Sequence, residues 1–209
     1  RGTVGKDGRL YNEDVLVPCG KCVECKKRKL DEWVFRAQQT AKKYIGSKFV
    51  TLTYGTATVP ISPNGFMTVN KRDVQLFLKR LRYNRSQDDK GEIKYIATAE
   101  YGSERKRPHY HLILIGDNLT IEDIDKAWQL GTVYAGSVSN DSIAYTLKYL
   151  DKPEQIPMHD RDDRSKEFRL MSKKLGDEYL TEAIETFYKQ QPTASLTKED
   201  GSKIALPKY

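Results

Sequence analysis

Arg107-Pro108-His109-Tyr110-His111-Leu112-Ile113-Leu114-Ile115-Gly116 is the stretch on which the reading of this chain turns. An unbroken Ile/Leu run that stops at a glycine has the pattern of a buried strand. Strand side chains alternate faces, so His109 and His111 point the same way and Ile113 and Ile115 continue that face as core. Leu112 and Leu114 cover the other face. Two imidazoles side by side at the start of a buried strand supply half of a divalent-metal site. On spacing alone the plainer reading is a pair of exposed strand histidines on a basic protein, so the neighbouring segments must carry the case.

Working outward, Phe49–Tyr54 is β-branched and aromatic and stops at Gly55, which predicts a strand, followed by a Pro- and Gly-bearing loop over 55–69. Asn70 caps a predicted helix over 71–84, where Val74, Phe77, Leu78 and Leu81 form an apolar stripe. Arg80, Arg82 and Arg85 fall near its end, suited to the helix dipole and available to phosphates. Glu92 to Tyr101 predicts a second strand, joined to the histidine strand by a charged connection. Thr120 opens a capping box for a helix ending at Gly131, then Thr132 to Val138 forms a strand. Asn140 or Ser142 caps a further helix through about Leu150. The order βαββαβ is the ferredoxin-like, α+β arrangement, with a central antiparallel sheet and helices packed on one face.

Counting back from His109 across the short connection brings Glu100, or less readily Glu92, to the same region of the sheet. Glu100 with His109 and His111 gives two imidazoles and one carboxylate with open positions, a catalytic kind of site, and Mg²⁺ or Mn²⁺ suits it if phosphate oxygens complete the shell. The helix beyond carries Tyr145-Thr146-Leu147-Lys148-Tyr149-Leu150-Asp151-Lys152, two copies of Tyr-x-x-Lys offset by four. On a helix Tyr145 and Tyr149 share a face, with Lys148 and Lys152 beside them. A nearby ammonium favours the phenolate, the nucleophilic form of a group whose free pKa is about 10. Packing of the helix on the sheet is the plainer role for such tyrosines in a chain with thirteen of them.

The remaining segments set limits. Residues 1–18 are polar and Gly-bearing, an arm rather than a core element, and a helical pattern runs from Lys26 to about Tyr44. Residues 152–165 read as a charged loop, Glu178 to Gln190 as a helix, and the tail from Gln191 as irregular. Across 209 residues the net charge is +7 and the pI about 9.1, a balance suited to a polyanion such as nucleic acid. Arg105, Lys106 and Arg107 beside the histidine strand are candidates to track a DNA backbone, as is Lys152, and Tyr54, Tyr101 and Tyr110 are candidates to stack on bases. No apolar run approaches the ~20 residues of a bilayer span and no signal-peptide pattern opens the chain, so a reducing cytosolic protein is expected. The sequence begins at Arg1 rather than Met, as expected if part of the natural N-terminus is missing.

Cys19, Cys22 and Cys25 lie within seven residues, which speaks against a disulfide framework. The trio suits a structural Zn²⁺ needing one more ligand, for which His159 is the unassigned histidine, or an iron–sulfur cluster, or three reduced thiols.

Together, Phe49–Tyr54, RPHYHLILIG (107–116) and YTLKYLDK (145–152) resemble the three ordered motifs of HUH endonucleases, the rolling-circle replication initiators. The paired tyrosines are similar to those of microvirus initiators. VPCGKCVECKKRKLDEW (17–33), EYGSERKRPHYH (100–111), FRLMSKKLG (168–176) and GSKIALPKY (201–209) resemble the gokushovirus type. The resemblance implies an HUH fold, metal ligation by His109, His111 and Glu100, nucleophiles at Tyr145 and Tyr149, and Lys148 as the motif lysine. It implies nicking and rejoining of single-stranded DNA at an origin bearing a hairpin, through a 5′-phosphotyrosyl intermediate. The setting it implies is the host bacterial cytoplasm, alongside host replication machinery and away from membranes. The expected organisation is an arm, Cys-rich segment and helix over 1–47, an endonuclease core over 48–152, and a C-terminal extension over 153–209 packed on it as one structural domain. Two other readings stay open: a non-catalytic nucleic-acid-binding module stabilised by zinc, and a metal-dependent phosphodiesterase that uses water.

Overall fold

The structure, a computed structural model, describes residues 19–87, 91–148 (Lys148 by its backbone), 156–193, 195–198 and 201–207. It also gives the backbone of two paired two-residue strands, β1 (Thr3–Val4) and β2 (Leu10–Tyr11). Tyr149 and Lys152 lie outside the described residues.

The centre is a five-stranded, wholly antiparallel sheet. Its strands are β3 (Lys48–Thr53), β4 (Lys94–Tyr101), β5 (Pro108–Ile115), β6 (Val133–Ser137) and β7 (Arg169–Met171), in the order β6-β3-β5-β4-β7. Between them run α2 (Lys71–Gln87), after β3, and α3 (Ile121–Trp128), after β5; α4 (Asn140–Lys148) follows β6. The first four sheet strands and their two helices therefore have the βαββαβ order, with β3 and β5 central, as in a ferredoxin-like fold.

Alternation along β3, β4 and β5 divides the core in two. Val50, Leu52, Ala97, Ala99, Leu112 and Leu114 face α2 and α3, meeting Phe77, Leu81, Ile124 and Trp128. Ile96, Ile113 and Ile115 face the other way, toward α4 and α1 (Val23–Lys42), where Ala37, Ile143 and Leu147 close the second layer. Each fully buried Ile or Leu contributes about 1.5–3 kcal/mol. Two helices therefore lie on one face, as the βαββαβ order predicts, and two more cover the second face.

Local details refine the sequence reading. Asn70 Oδ1 accepts from Arg72 N, and Thr120 Oγ1 from Asp123 N, so both predicted caps form. The α4 cap is instead Ser139, whose hydroxyl accepts from Ser142 N while Ser142 Oγ accepts from Ser139 N. Helix α3 ends at Gln129 in the left-handed region, not at Gly131. Gly131 answers a different demand: a Cβ there would lie 2.2 Å from the Thr53 carbonyl oxygen. Arg80 and Arg85 are committed within the fold, donating to the backbone carbonyls of Ala127 and Trp128 and of Asp117, while Arg82 is exposed and donates to the Ile93 carbonyl. Past the loop, Asp177–Tyr179 is a single 3-10 turn, α5 (Glu182–Gln190) is capped by Thr181, and β8 (Ser195–Thr197) pairs with β9 (Lys203–Ala205). Leu196 and Ile204 of that hairpin pack on Phe35 of α1, so the tail holds more structure than its sequence suggests.

Candidate functional site

The second sheet face turns polar at one end. There Glu100 on β4 pairs in register with His109 on β5, and His111 pairs with both Thr98 on β4 and Thr51 on β3. The hairpin between β4 and β5 closes with Gly102 N donating to the Arg107 carbonyl at 3.0 Å, which sets this register. The ligand atoms of Glu100, His109 and His111 consequently lie within 4.8 Å of one another. Glu92, the other carboxylate considered, precedes the far end of β4. At ~3.3 Å per residue it is more than 20 Å along the strand from Glu100.

Each ring is held from behind. His109 Nδ1 lies 3.2 Å from the Arg107 carbonyl oxygen, which can only accept, so Nδ1 carries the proton. The lone pair then sits on Nε2, 3.7 Å from Glu100 Oε1. His111 Nδ1 lies 3.0 Å from Thr51 Oγ1, and Phe49, two residues back on the same strand face, stacks on the imidazole at 5.9 Å and 10°. Outer hydrogen bonds of this kind fix ligand tautomer and orientation. Glu100 and His111 are buried and His109 is part-exposed, so the group is accessible from one side. One carboxylate and two imidazoles on rigid strands fit a first-row divalent ion or Mg²⁺ with phosphate oxygens as co-ligands.

Tyr145 is the neighbour from α4. Its ring meets His111 edge-on at 5.5 Å and Phe49 at 6.2 Å, and the residue is 46% exposed. The structure thus brings Glu100, His109, His111 and Tyr145 together on one face. Lys148 is at the end of the same helix.

Tyr54, Tyr101 and Tyr110 are not base platforms. All three are buried on the opposite face. Tyr110 accepts from Asn70 N at 2.8 Å, and its hydroxyl lies 2.7 Å from that of Tyr54, which also donates to Asp73 at 2.6 Å. Burial pushes Tyr110 up to about 12, and burial with the neighbouring Tyr110 and Asp73 pushes Tyr54 higher still, so these phenols stay neutral. An exposed aromatic that the sequence reading overlooked lies elsewhere: Tyr134 on β6, 69% exposed, opposite Thr51 and so on the histidine face. Two strand spacings, about 10 Å, separate it from His111. Its signal was weak because a lone tyrosine in a short edge strand looks like any other β-former.

Of the basic residues, Arg105 is exposed in the β4–β5 turn, and Lys106 adopts a left-handed φ of 50°. The Arg107 guanidinium donates to the Tyr54 carbonyl at 2.6 Å and so ties the turn to the end of β3.

The cysteines form a separate group whose three Sγ atoms lie within 4.8 Å of one another. Amides of Lys21 and Cys22 donate to Cys19 Sγ at 3.4 and 3.3 Å, which holds this thiol down to about 7. Cys22 goes the other way, up to about 11: the Cys25 amide favours its thiolate, but the Cys25 and Cys19 thiols and the Glu24 carboxylate outweigh it. His159 does not join them; it packs against Phe66 at 5.6 Å.

Residues 47–154 match the family profile of replication-associated protein ORF2/G2P. The chain is similar to replication-associated protein ORF2 of Spiroplasma virus 4, with 29% identity over 92% of this chain and 66% of that protein. It is 27% identical to replication-associated protein VP4 of Bdellovibrio phage phiMH2K, over 92% of this chain and 65% of the relative. With replication-associated protein ORF4 of Chlamydia phage 1 the figures are 21%, 92% and 52%. The chain therefore spans between about half and two thirds of the length of these relatives. No solved structure matches it.

Proposed function

The chain belongs to the replication-associated protein ORF2/G2P family, and from that premise we propose that it initiates rolling-circle replication by nicking and rejoining single-stranded DNA through a tyrosine. The observation that carries this reading is the convergence of Glu100, His109 and His111 with Tyr145 on one sheet face. Residues 48–152 are the catalytic core in this reading, and the partner is a single-stranded origin with a hairpin, inside the bacterial host. No described helix is long and apolar enough to cross a membrane.

Glu100, His109 and His111 would hold a divalent ion, Mg²⁺ or Mn²⁺, which when bound withdraws charge from the scissile phosphate. Tyr145 attacks phosphorus through its phenolic oxygen, and Lys148, the motif lysine, favours the phenolate. A P–O(Tyr) bond forms as the P–O3′ bond breaks, and the departing 3′ oxygen takes up a proton. The result is a free 3′-hydroxyl and a 5′-phosphotyrosyl link. No water is consumed, so the phosphodiester energy is kept, and a later 3′-hydroxyl can reverse the step and reseal the strand. Tyr149, one turn beyond Tyr145 in the sequence pattern, would serve as the second nucleophile. Arg105, Lys106 and the exposed ring of Tyr134 flank this path as phosphate and base contacts.

The test mixes the protein with a cognate-origin oligonucleotide and Mn²⁺ and resolves the products on a denaturing gel. A retarded covalent band, lost with EDTA, mapped by mass spectrometry to Tyr145 or Tyr149 and shifted or lost in Tyr145→Phe, is the expected result. Cleavage without a band would replace this reading with a water-using phosphodiesterase. Binding without cleavage would replace it with a zinc-stabilised nucleic-acid-binding module.

A further inference from the structure

The nicking reading leaves Cys19, Cys22 and Cys25 unused, and their arrangement is specific. The Sγ atoms of Cys19 and Cys25 are 3.9 Å apart, too far for a disulfide at about 2.05 Å. Thiolates sharing one tetrahedral Zn²⁺ at Zn–S about 2.3 Å lie about 3.8 Å from each other. In a cubane iron–sulfur cluster each thiolate binds a different iron, which holds the sulfurs farther apart than this trio allows. Two amide donors on Cys19 Sγ favour a thiolate acceptor there.

The surroundings point the same way. Val23–Lys29, the first two turns of α1, lie outside the core clusters, and the helix first packs at Leu30. Cys22 is the N-cap residue and makes no side-chain cap bond. Two turns that lie outside the apolar core and begin without a side-chain cap hold the helix end weakly. All three thiols sit at that end, and the run Lys21 and Lys26–Lys29 offsets the net negative charge that three thiolates retain around a divalent ion.

We propose that Cys19, Cys22 and Cys25 bind a single Zn²⁺ ion that pins the Cys19–Lys21 loop onto the first turn of α1, separate from the Glu100–His109–His111 group. The Glu24 carboxylate, hydrogen-bonded to the Cys22 thiol, adjoins the trio without sharing its mutual 4.8 Å spacing, which leaves the fourth position to water or to this carboxylate. The bound ion caps α1 and keeps the Lys26–Lys29 run helical. This site does not depend on the nicking reading.

The experiment uses the full chain, purified without chelator, and metal analysis followed by Co²⁺ exchange. The expected result is one zinc per chain and, with cobalt, an intense sulfur-to-cobalt charge-transfer band with tetrahedral d–d absorption. Both should be lost in Cys25→Ser and in Cys19→Ser while circular dichroism shows a folded protein, and both should persist in Glu100→Ala. Wild-type protein without the cobalt band would overturn the proposal, as would a band that survives either cysteine variant. Iron with acid-labile sulfide would overturn it too. Failure of nicking alone leaves these readouts unmoved, so the two proposals fail separately.

Discussion

The two metal-competent groups of this protein are built in opposite ways. Glu100, His109 and His111 come from two neighbouring strands, lean on a third through Thr51 and Phe49, and are mostly buried. Cys19, Cys22 and Cys25 come from seven consecutive residues at an exposed helix end that reaches the core only from Leu30. The first group owes its geometry to sheet register and hairpin closure, so the core holds it ready whether or not an ion is bound. The second draws its described contacts from within its own short segment, the Lys21 and Cys22 amides on Cys19 among them, so an ion there would complete the structure. Preorganised donors with an open side suit chemistry, and clustered thiolates suit a clamp.

The sharpest way to break that contrast is His111→Ala. Adduct formation should fall by on the order of 10³-fold, as when a charge-stabilising group is removed from a preorganised site. Thermal stability should fall, because a buried, stacked ring is removed, but zinc content should stay near wild type; a joint loss of cysteine-bound zinc in the folded variant would show that the groups are not independent. Thr51→Val tests the outer support, and titration with Mn²⁺ should show metal affinity or activity lowered by about 10–100-fold. Cys25→Ser should leave single-turnover nicking nearly unchanged while amide exchange accelerates over 22–29. Loss of about 1 kcal/mol of capping corresponds to a Tm decrease of about 2–4 °C in a chain of this size. Tyr134→Ala should have the smallest effect, a loss of about fivefold in single-strand affinity if one base stack of ~1 kcal/mol disappears, with Tyr134→Trp restoring it. Equal losses for duplex and single strand would argue against stacking.

The same contrast explains what could be read without coordinates. The periodic elements of the sheet and its helices were legible because each buries a regular face: β5 by its Ile/Leu run, α2 by Val74, Phe77, Leu78 and Leu81. Glu100, His109 and His111 were legible because strand alternation and a short hairpin leave little freedom in placing them. Partners contributed from far along the chain were not. Tyr54, Tyr101 and Tyr110 look like surface aromatics until Asp73, Asn70 and the Ser165 carbonyl bury and satisfy their hydroxyls. Likewise β7 is three residues long, too short for alternation to show, yet it extends the sheet beside β4. The use of Arg80, Arg82 and Arg85 as caps on other segments' carbonyls is a tertiary event with no local pattern.

The pairing of Glu100 with His109 also constrains which changes in chain length the protein can survive. Inserting or deleting one residue within β5 before His111 would carry imidazoles to the side now filled by Tyr110 and bring a phenol to the metal face. Two-residue changes would restore the face but move the donors along the strand by about 6–7 Å. The loop over 55–69 carries no such phase, so length variation among natural variants should accumulate there and be purged from the stretch between Glu100 and His111.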